Sequence, residues 1–303
     1  MAVTLVTGGS GFIGRYVVER FVAVGDTVVS YNRDYTESAS GSVAAVQGEL
    51  YDIPRLLRTM RDLRVERIVH TAAQSHPEVS IDLPITTFTA NVEGTLYLYE
   101  AARLAEVPRI VNFSSEAVYG DHPNPLAEDA PRRPTTPYGV TKVTGELMAD
   151  VYSDLYGLDV VSLRPSEVYG PGNRMPSVIN EMLRAGLRGE PLLMARGAEH
   201  RFNFVHARDV ATAALAAAAA NEYGQRVYNV AGDGQHSLAE AARIVHRRFP
   251  EANIEIGPGY LEERYRQGHF DISAARHDLG YAPEWNLERG IEDYAEWLGD
   301  HPY

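Results

Sequence analysis

The chain has 303 residues, 45% of them hydrophobic, and its 28 basic and 41 acidic residues give a formal net charge of −13. That apolar fraction supports a sizeable core, in one large domain or two, and excludes disorder of the whole chain. So acidic a balance argues against a nucleic-acid partner, because phosphate binding needs a basic face. The absence of cysteine removes disulfides, thiolate nucleophiles, zinc fingers and iron–sulfur clusters together.

Strand-like and helical stretches alternate through the first half. Residues 2–6 form a short apolar run, residues 8–14 break it with glycines, and residues 12–24 repeat apolar side chains at helical spacing. Residues 27–31, 43–46, 67–70, 109–113 and 160–163 read as further strands. Short buried runs separated by helices imply a parallel sheet covered on both faces. Two long helices are predicted, over 83–105 (starting near Pro84) and over 138–156. After about Gly170 the rhythm changes. Pro171, Gly172 and Pro176 punctuate, residues 177–188 read as a helix, and segments near 202–230 return to the sheet. The apolar run 213–220 reads as a packed helix, far short of the ~20 residues of a membrane span. No basic n-region of a signal peptide precedes the first strand. A cytoplasmic protein without a membrane partner is expected.

Between the first strand and the first helix stands Thr7-Gly8-Gly9-Ser10-Gly11-Phe12-Ile13-Gly14. Glycines there permit a tight turn and let backbone N–H groups approach a pyrophosphate at the helix N-terminus. The predicted fold is therefore α/β, a Rossmann-like doubly wound parallel sheet with a smaller C-terminal substrate-binding lobe. Residues 1–170 form the dinucleotide-binding domain, and residues 171–303 form most of the lobe. The end of the second strand, where an acidic residue would meet the ribose 2′-hydroxyl, carries Asn32 and then Arg33. Asn32 has no charge to repel a 2′-phosphate, and Arg33 can pair with one, which favours NADP over NAD.

Tyr138 and Lys142 are four apart on one helix face, where an ammonium favours the phenolate form of a tyrosine that works as acid or base. The hydroxyl-rich stretch Asn112-Phe113-Ser114-Ser115-Glu116-Ala117-Val118-Tyr119-Gly120 lies at the carboxyl end of a predicted strand, the edge where open parallel sheets bind ligands. The ten histidines lack ligand spacing, so no metal is expected.

With these motifs the sequence resembles the extended short-chain dehydrogenase/reductase family, the NAD(P)-dependent sugar-nucleotide epimerases and dehydratases. The likeness runs in order through the glycine loop, Ala72-Ala73-Gln74-Ser75-His76, Asn91-Val92-Glu93-Gly94-Thr95, Ser114 to Gly120, Tyr138-Gly139-Val140-Thr141-Lys142, and Leu163-Arg164-Pro165-Ser166-Glu167-Val168-Tyr169-Gly170-Pro171-Gly172. It continues through Phe204-Val205-His206 and Asp209-Val210 to Leu279-Gly280-Tyr281-Ala282-Pro283, over essentially the whole chain.

The resemblance implies Tyr138 as the acid/base at the reacting carbinol or ketone, with Lys142 on the nicotinamide ribose and Ser115 on the substrate oxygen. It places Gly8, Gly11, Phe12, Ile13, Gly14, Asn32, Arg33, Glu49, Leu50, Ala72, Ala73, Gln74, Asn91 and Pro165 on the cofactor side. Ser75, His76, Glu116, Glu167, Asn173, Arg174 and Arg201 fall on the substrate side. Asn173, Arg174 and Arg201 are candidate contacts to the nucleotide diphosphate, although Phe202 and Asn203 stand where the family usually has Asp after Arg201.

Hydride transfer between a sugar carbon and nicotinamide is the implied chemistry, and an epimerase with a transient keto-sugar is the leading expectation. Glu116 directly follows Ser115, but Ala117 stands where dehydratases carry a second acid, which weakens a 4,6-dehydratase. The same motifs also admit an NADPH-dependent keto-sugar reductase or a non-catalytic dinucleotide-sensing protein. A homodimer is expected through the two long helices, with Leu96, Leu98, Val151 and Leu155 forming an apolar surface.

Overall fold

Consecutive large aliphatics in each early strand need two apolar faces to receive them. In the computed structural model, which describes residues 2–34, 41–262 and 264–301, they find both. The chain runs β1 (Val3–Thr7), α1 (Phe12–Ala23), β2 (Thr27–Asn32), β3 (Val43–Gln47), α2 (Ile53–Asp62), β4 (Arg67–His70), α3 (Pro77–Asp82), α4 (Pro84–Phe88), a π-helical turn (Thr89–Glu93) and α5 (Gly94–Leu104). It continues through β5 (Arg109–Phe113), α6 (Pro137–Tyr156), β6 (Asp159–Pro165), β7 (Glu167–Tyr169), α7 (Val178–Arg188), β8 (Leu192–Met194), β9 (Arg201–Phe202), β10 (Phe204–His206) and α8 (Ala207–Ala219). The last elements are β11 (Val227–Val230), β12 (His236–Ser237), α9 (Leu238–Arg248), β13 (Ile254–Ile256), α10 (Ser273–Leu279) and α11 (Leu287–Asp300). Met1, Pro302 and Tyr303, at the ends of the two expected domains, lie outside the described residues.

Seven strands form one parallel sheet in the order β11-β6-β5-β4-β1-β2-β3. Alternation sends Val6, Val28, Val69, Val111 and Val161 to the face covered by α1 and α8. Their neighbours Leu5, Val29, Ile68, Ile110 and Val160 go to the face covered by α2, α5 and α6. Each such side chain contributes roughly 1.5–3 kcal/mol when fully buried. The alanine-rich α8 packs on α1 with Ala211, Ala213, Ala214, Ala217 and Ala218 buried, small side chains that let two helices approach closely. A third core joins α7, α9 and α11 in the C-terminal lobe through Ile179, Met182, Leu183, Val245, Ile291 and Leu298.

Two expectations need correction, and one helix carries an irregularity. Of the segments near 202–230, only β11 joins the main sheet; β9 pairs with β12 and β10 with β7, in separate two-stranded ribbons. The helix predicted over 83–105 runs without interruption from Pro84 to Leu104 but widens into a π-turn at Thr89–Glu93, beside which Thr95 Oγ1 donates to the Asn91 carbonyl at 2.5 Å. Leu98 is fully buried in the core and adds nothing to a surface. Among the described residues, no helix is long and apolar enough to cross a membrane.

Candidate active site

Gly8 opens the first loop with φ +71°, its N–H donating to the Tyr31 carbonyl at 2.8 Å. A Cβ there would lie 2.9 Å from the Ala72 backbone, and one on Gly14 would collide with the Gly8 carbonyl. Glycine is thus required by close approach as well as by φ. Asn32 secures the turn: its Oδ1 accepts from the Ser10 N–H at 2.9 Å, and its Nδ2 donates to Ser30 Oγ at 3.0 Å. α1 begins at Gly11 without a side-chain cap. Its first N–H groups remain available at a cleft lined by Ser10, Gly11, Phe12 and Ile13, an arrangement that suits a pyrophosphate.

This cleft, of about 710 Å³, crosses the carboxyl edge of the sheet and ends under the C-terminal lobe. Thr136 caps α6 by accepting from the Gly139 N–H, and Pro137 occupies its first turn, so Tyr138 and Lys142 project from the helix start. Both line the cleft with Ser115. Burial pushes the Tyr138 phenol up to about 12, against a hydrogen bond from Ser115 that favours the phenolate. Desolvation pulls the Lys142 ammonium down to about 8. Its Nζ donates to the Phe113 carbonyl at 2.7 Å and lies 5.6 Å from the centroid of the Tyr138 ring.

Beneath them is a buried ionic network. Glu146, one turn beyond Lys142, accepts from Arg164 Nε and Nη2, each at 2.7 Å, from Arg132 at 3.2 Å and from the Ser114 hydroxyl at 2.5 Å. An ion pair this buried is costly to break from one side, because the partner charge is left stranded. It fixes β5, β6 and α6 to one another where Ser115 and Lys142 emerge.

At the far end, Glu116 and Glu167 line the cleft with His76, Glu78, Arg264 and Tyr265. Arg264 reaches Glu78 at 3.3 Å and Glu167 at 3.9 Å, and His76 Nδ1 lies 2.8 Å from Glu78. Burial pushes both cleft carboxyls above the usual carboxylate range, Glu116 well above it, and the Glu167 charge adds to that rise.

Ala73, Ser75, Pro165, Asn173 and Arg174 also line the cleft. The remaining residues singled out in the sequence act from behind it or stand beside it. Asn91 braces the 72–76 loop, accepting from the Gln74 N–H at 2.8 Å and donating to the Gln74 carbonyl at 2.9 Å and to Thr141 at 3.0 Å. Ala72 backs Gly8, the Glu49 carbonyl accepts from the Tyr31 hydroxyl at 3.1 Å, and Leu50 packs at Gly94. Arg33 is exposed and 3.8 Å from Asp34, which itself lines the cleft. Arg201 borders a smaller cavity with Glu116 and Glu167, its half-exposed guanidinium donating to the Gln235 carbonyl at 3.1 Å. Sequence reasoning missed Arg15, Asp34 and Glu78, which stand just past residues it singled out, and Arg264, Tyr265 and Trp297, whose neighbours in sequence carry no motif.

The comparisons agree with this geometry. Residues 4–231 match the model of the NAD dependent epimerase/dehydratase family, and the chain belongs to that family. It is therefore an enzyme of the extended short-chain dehydrogenase/reductase type, built to work with a nicotinamide dinucleotide. It is 33% identical to a UDP-glucose 4-epimerase of Mycolicibacterium smegmatis, over 97% of this chain and 98% of the relative. It is 26% identical to the dTDP-D-glucose 4,6-dehydratase of Mus musculus, over 97% and 87%. A solved UDP-glucose 4-epimerase of Thermus thermophilus, in complex with NAD, superposes with a TM-score of 0.86 at 28% identity, over 99% and 100% of the two chains.

Proposed function

We propose that the chain is an NAD(P)-dependent epimerase of a nucleotide-linked sugar, with a UDP-hexose as substrate and a transient keto-sugar as intermediate. The observation that carries this reading is the placement of Ser115, Tyr138 and Lys142 midway along one cleft, between the glycine cradle and the acid-lined sugar end. The relative in Mycolicibacterium smegmatis, a UDP-glucose 4-epimerase, supports the substrate class.

Residues 1–170 hold the dinucleotide, and residues 171–303 close over the nucleotide sugar. Gly8, Gly11 and Gly14 hold the pyrophosphate on the start of α1. When bound, the dinucleotide supplies a ring that accepts a hydride and returns it. Tyr138 takes the proton from the reacting hydroxyl and gives it back, Ser115 hydrogen-bonds that oxygen, and Lys142 stabilises the phenolate. Asn173 and Arg174 face the diphosphate, where a guanidinium can bind bidentately.

NADP is the proposed preferred cofactor. The Asn32 amide is committed to the loop. Among the described residues the Arg33 guanidinium meets a surface carboxylate at 3.8 Å, a weak pair that a 2′-phosphate displaces. Arg33 also favours a second reading, an NADPH-dependent keto-sugar reductase. The protein is proposed to be cytoplasmic and homodimeric. Ile85, Phe88, Leu96, Val140, Leu147, Val151 and Leu155 are exposed along α4, α5 and α6 and would be covered by a second copy.

The test supplies UDP-glucose with trace NAD⁺ or NADP⁺ and follows products by NMR. The epimerase reading expects UDP-galactose without net reduced cofactor. Consumption of stoichiometric NADPH on a keto-sugar identifies a reductase, and loss of water identifies a dehydratase.

A further inference from the structure

The start of α1 answers a pyrophosphate only in part. A helix N-terminus carries about half a positive charge, and the pyrophosphate of a dinucleotide is a dianion. Lys142 is engaged by the Phe113 carbonyl at 2.7 Å, deeper in the cleft. Arg15 stands one turn into α1, its N–H donating to the Gly11 carbonyl at 3.1 Å, and it lines the cleft with Gly172 and Trp297. Its guanidinium crosses to the C-terminal lobe. Nη2 donates to the Pro171 carbonyl, which the Tyr16 hydroxyl also reaches at 2.9 Å, and lies 3.3 Å from that hydroxyl. Cζ is 4.9 Å from the centroid of the Tyr16 ring and 5.8 Å from that of Trp297 on α11. Gly172, at φ +77°, leaves the room for it, because a Cβ there would collide with the guanidinium.

These partners are a carbonyl, a hydroxyl and two ring faces. Among the described residues no carboxylate pairs with Arg15, and its Nε and Nη1 donate to none of them. A guanidinium that lines a cleft with its charge unanswered and donors left over suits an anion with several oxygens. We propose that Arg15 is a cofactor-retaining residue, whose guanidinium pairs with the pyrophosphate held on the glycine cradle while remaining anchored to Pro171 in the lobe. This rests on the dinucleotide placement proposed above. One side chain then joins both walls of the cleft to the cofactor, and release of the dinucleotide must break its charge-assisted hydrogen bonds. An epimerase returns the hydride to the molecule it came from and gains from a cofactor that stays. A reductase must exchange its cofactor at every turnover.

The test reads binding and not turnover. Stopped-flow fluorescence gives the dissociation rates of NADH and NADPH. Calorimetric titration gives the affinities for ADP-ribose, which carries the pyrophosphate, and for adenosine, which lacks it. Arg15→Gln is expected to raise both the dissociation rates and the ADP-ribose dissociation constant at least about tenfold, the scale of a lost charge-assisted hydrogen bond, and to leave adenosine within about twofold. Arg15→Lys keeps the charge and should recover most of that loss. Tyr16→Phe removes the other hydrogen bond to Pro171, keeps the charge, and should hold ADP-ribose nearly as wild type does. An Arg15→Gln variant that binds ADP-ribose like wild type, or that loses adenosine in equal measure, overturns the proposal and leaves the epimerase reading standing. So does an equal loss of ADP-ribose in Tyr16→Phe, which would make the tie to the lobe, and not the charge, the cause. No binding of either dinucleotide to wild type overturns both.

Discussion

A phenol that burial holds near 12 gives up its proton only where a hydroxyl and an ammonium share the resulting charge. Ser115 and Lys142 are placed to do so around Tyr138. Tyr138→Phe is expected to lower kcat by about 10²–10⁴, the usual range for a lost acid/base, while the cofactor dissociation constant stays within a few-fold. Near-wild-type turnover would remove Tyr138 from its role. In the proposed mechanism Lys142 is expected to set the alkaline limit. Its ammonium, pulled down to about 8 by desolvation, is lost above that pH, so kcat/KM should fall above pH 8. The stability contribution has the opposite sign. Between about 8 and the ordinary 10.5 the unfolded chain binds more protons, so this group adds stability as pH rises. A rate profile flat to pH 10 contradicts the assignment. Arg33 tests the cofactor proposal: charge-assisted hydrogen bonds of ~1.5–3 kcal/mol correspond to roughly one to two decades in affinity. Arg33→Ala should cost NADP that much and NAD little, as read by fluorescence titration. A preference for NAD in the parent protein, or one for NADP that survives the substitution, sinks the reading.

At the scale of elements, the strands and long helices were legible because their apolar spacing has one physical solution. Residues 67–70 and 109–113 form strands at the predicted positions, since short aliphatic runs flanked by helices must be buried on both faces. The π-turn at Thr89–Glu93 was not legible, because its cause is tertiary. Asn91 turns inward to bond both backbone groups of Gln74, and the helix widens there. Arg264 and Tyr265 were equally hidden, since only the folded chain brings them to Glu116. β4 carries a further buried group, His70, whose ring nitrogens meet Thr7 at 2.7 Å and Thr95 at 3.0 Å. Desolvation pulls its pKa down to about 3. As pH falls from about 6.5 toward 3, the unfolded chain takes up a proton that the folded chain refuses, so stability falls. His70→Gln should flatten that acid limb in urea titrations between about pH 6.5 and 4; an unchanged slope contradicts the account.

For the molecule as a whole, the cleft is lined both from a sheet edge and from the C-terminal lobe. The sheet edge presents the glycine cradle and Tyr138, while Arg264 and Tyr265 arrive from the C-terminal segment. The exposed face of α4, α5 and α6 belongs to the same scale. Leu155, 72% exposed, and Val151, 50% exposed, are aliphatics in water unless a second copy covers them. Light scattering at micromolar concentration should give twice the monomer mass, and the double substitution Val151→Glu, Leu155→Glu should give the monomer mass. A wild-type monomer would remove the dimer from the account.

In the proposed reaction a hydride leaves a sugar carbon and returns to the same carbon on the other face. A UDP-hexose deuterated at C4, mixed with unlabelled substrate of distinct mass, tests it directly with catalytic NAD(P)⁺. A C4 epimer that keeps its deuterium at C4 is expected, with no label crossing between molecules and no net reduced cofactor. Loss of the label from C4, its transfer to another carbon, or accumulation of labelled reduced dinucleotide contradicts it.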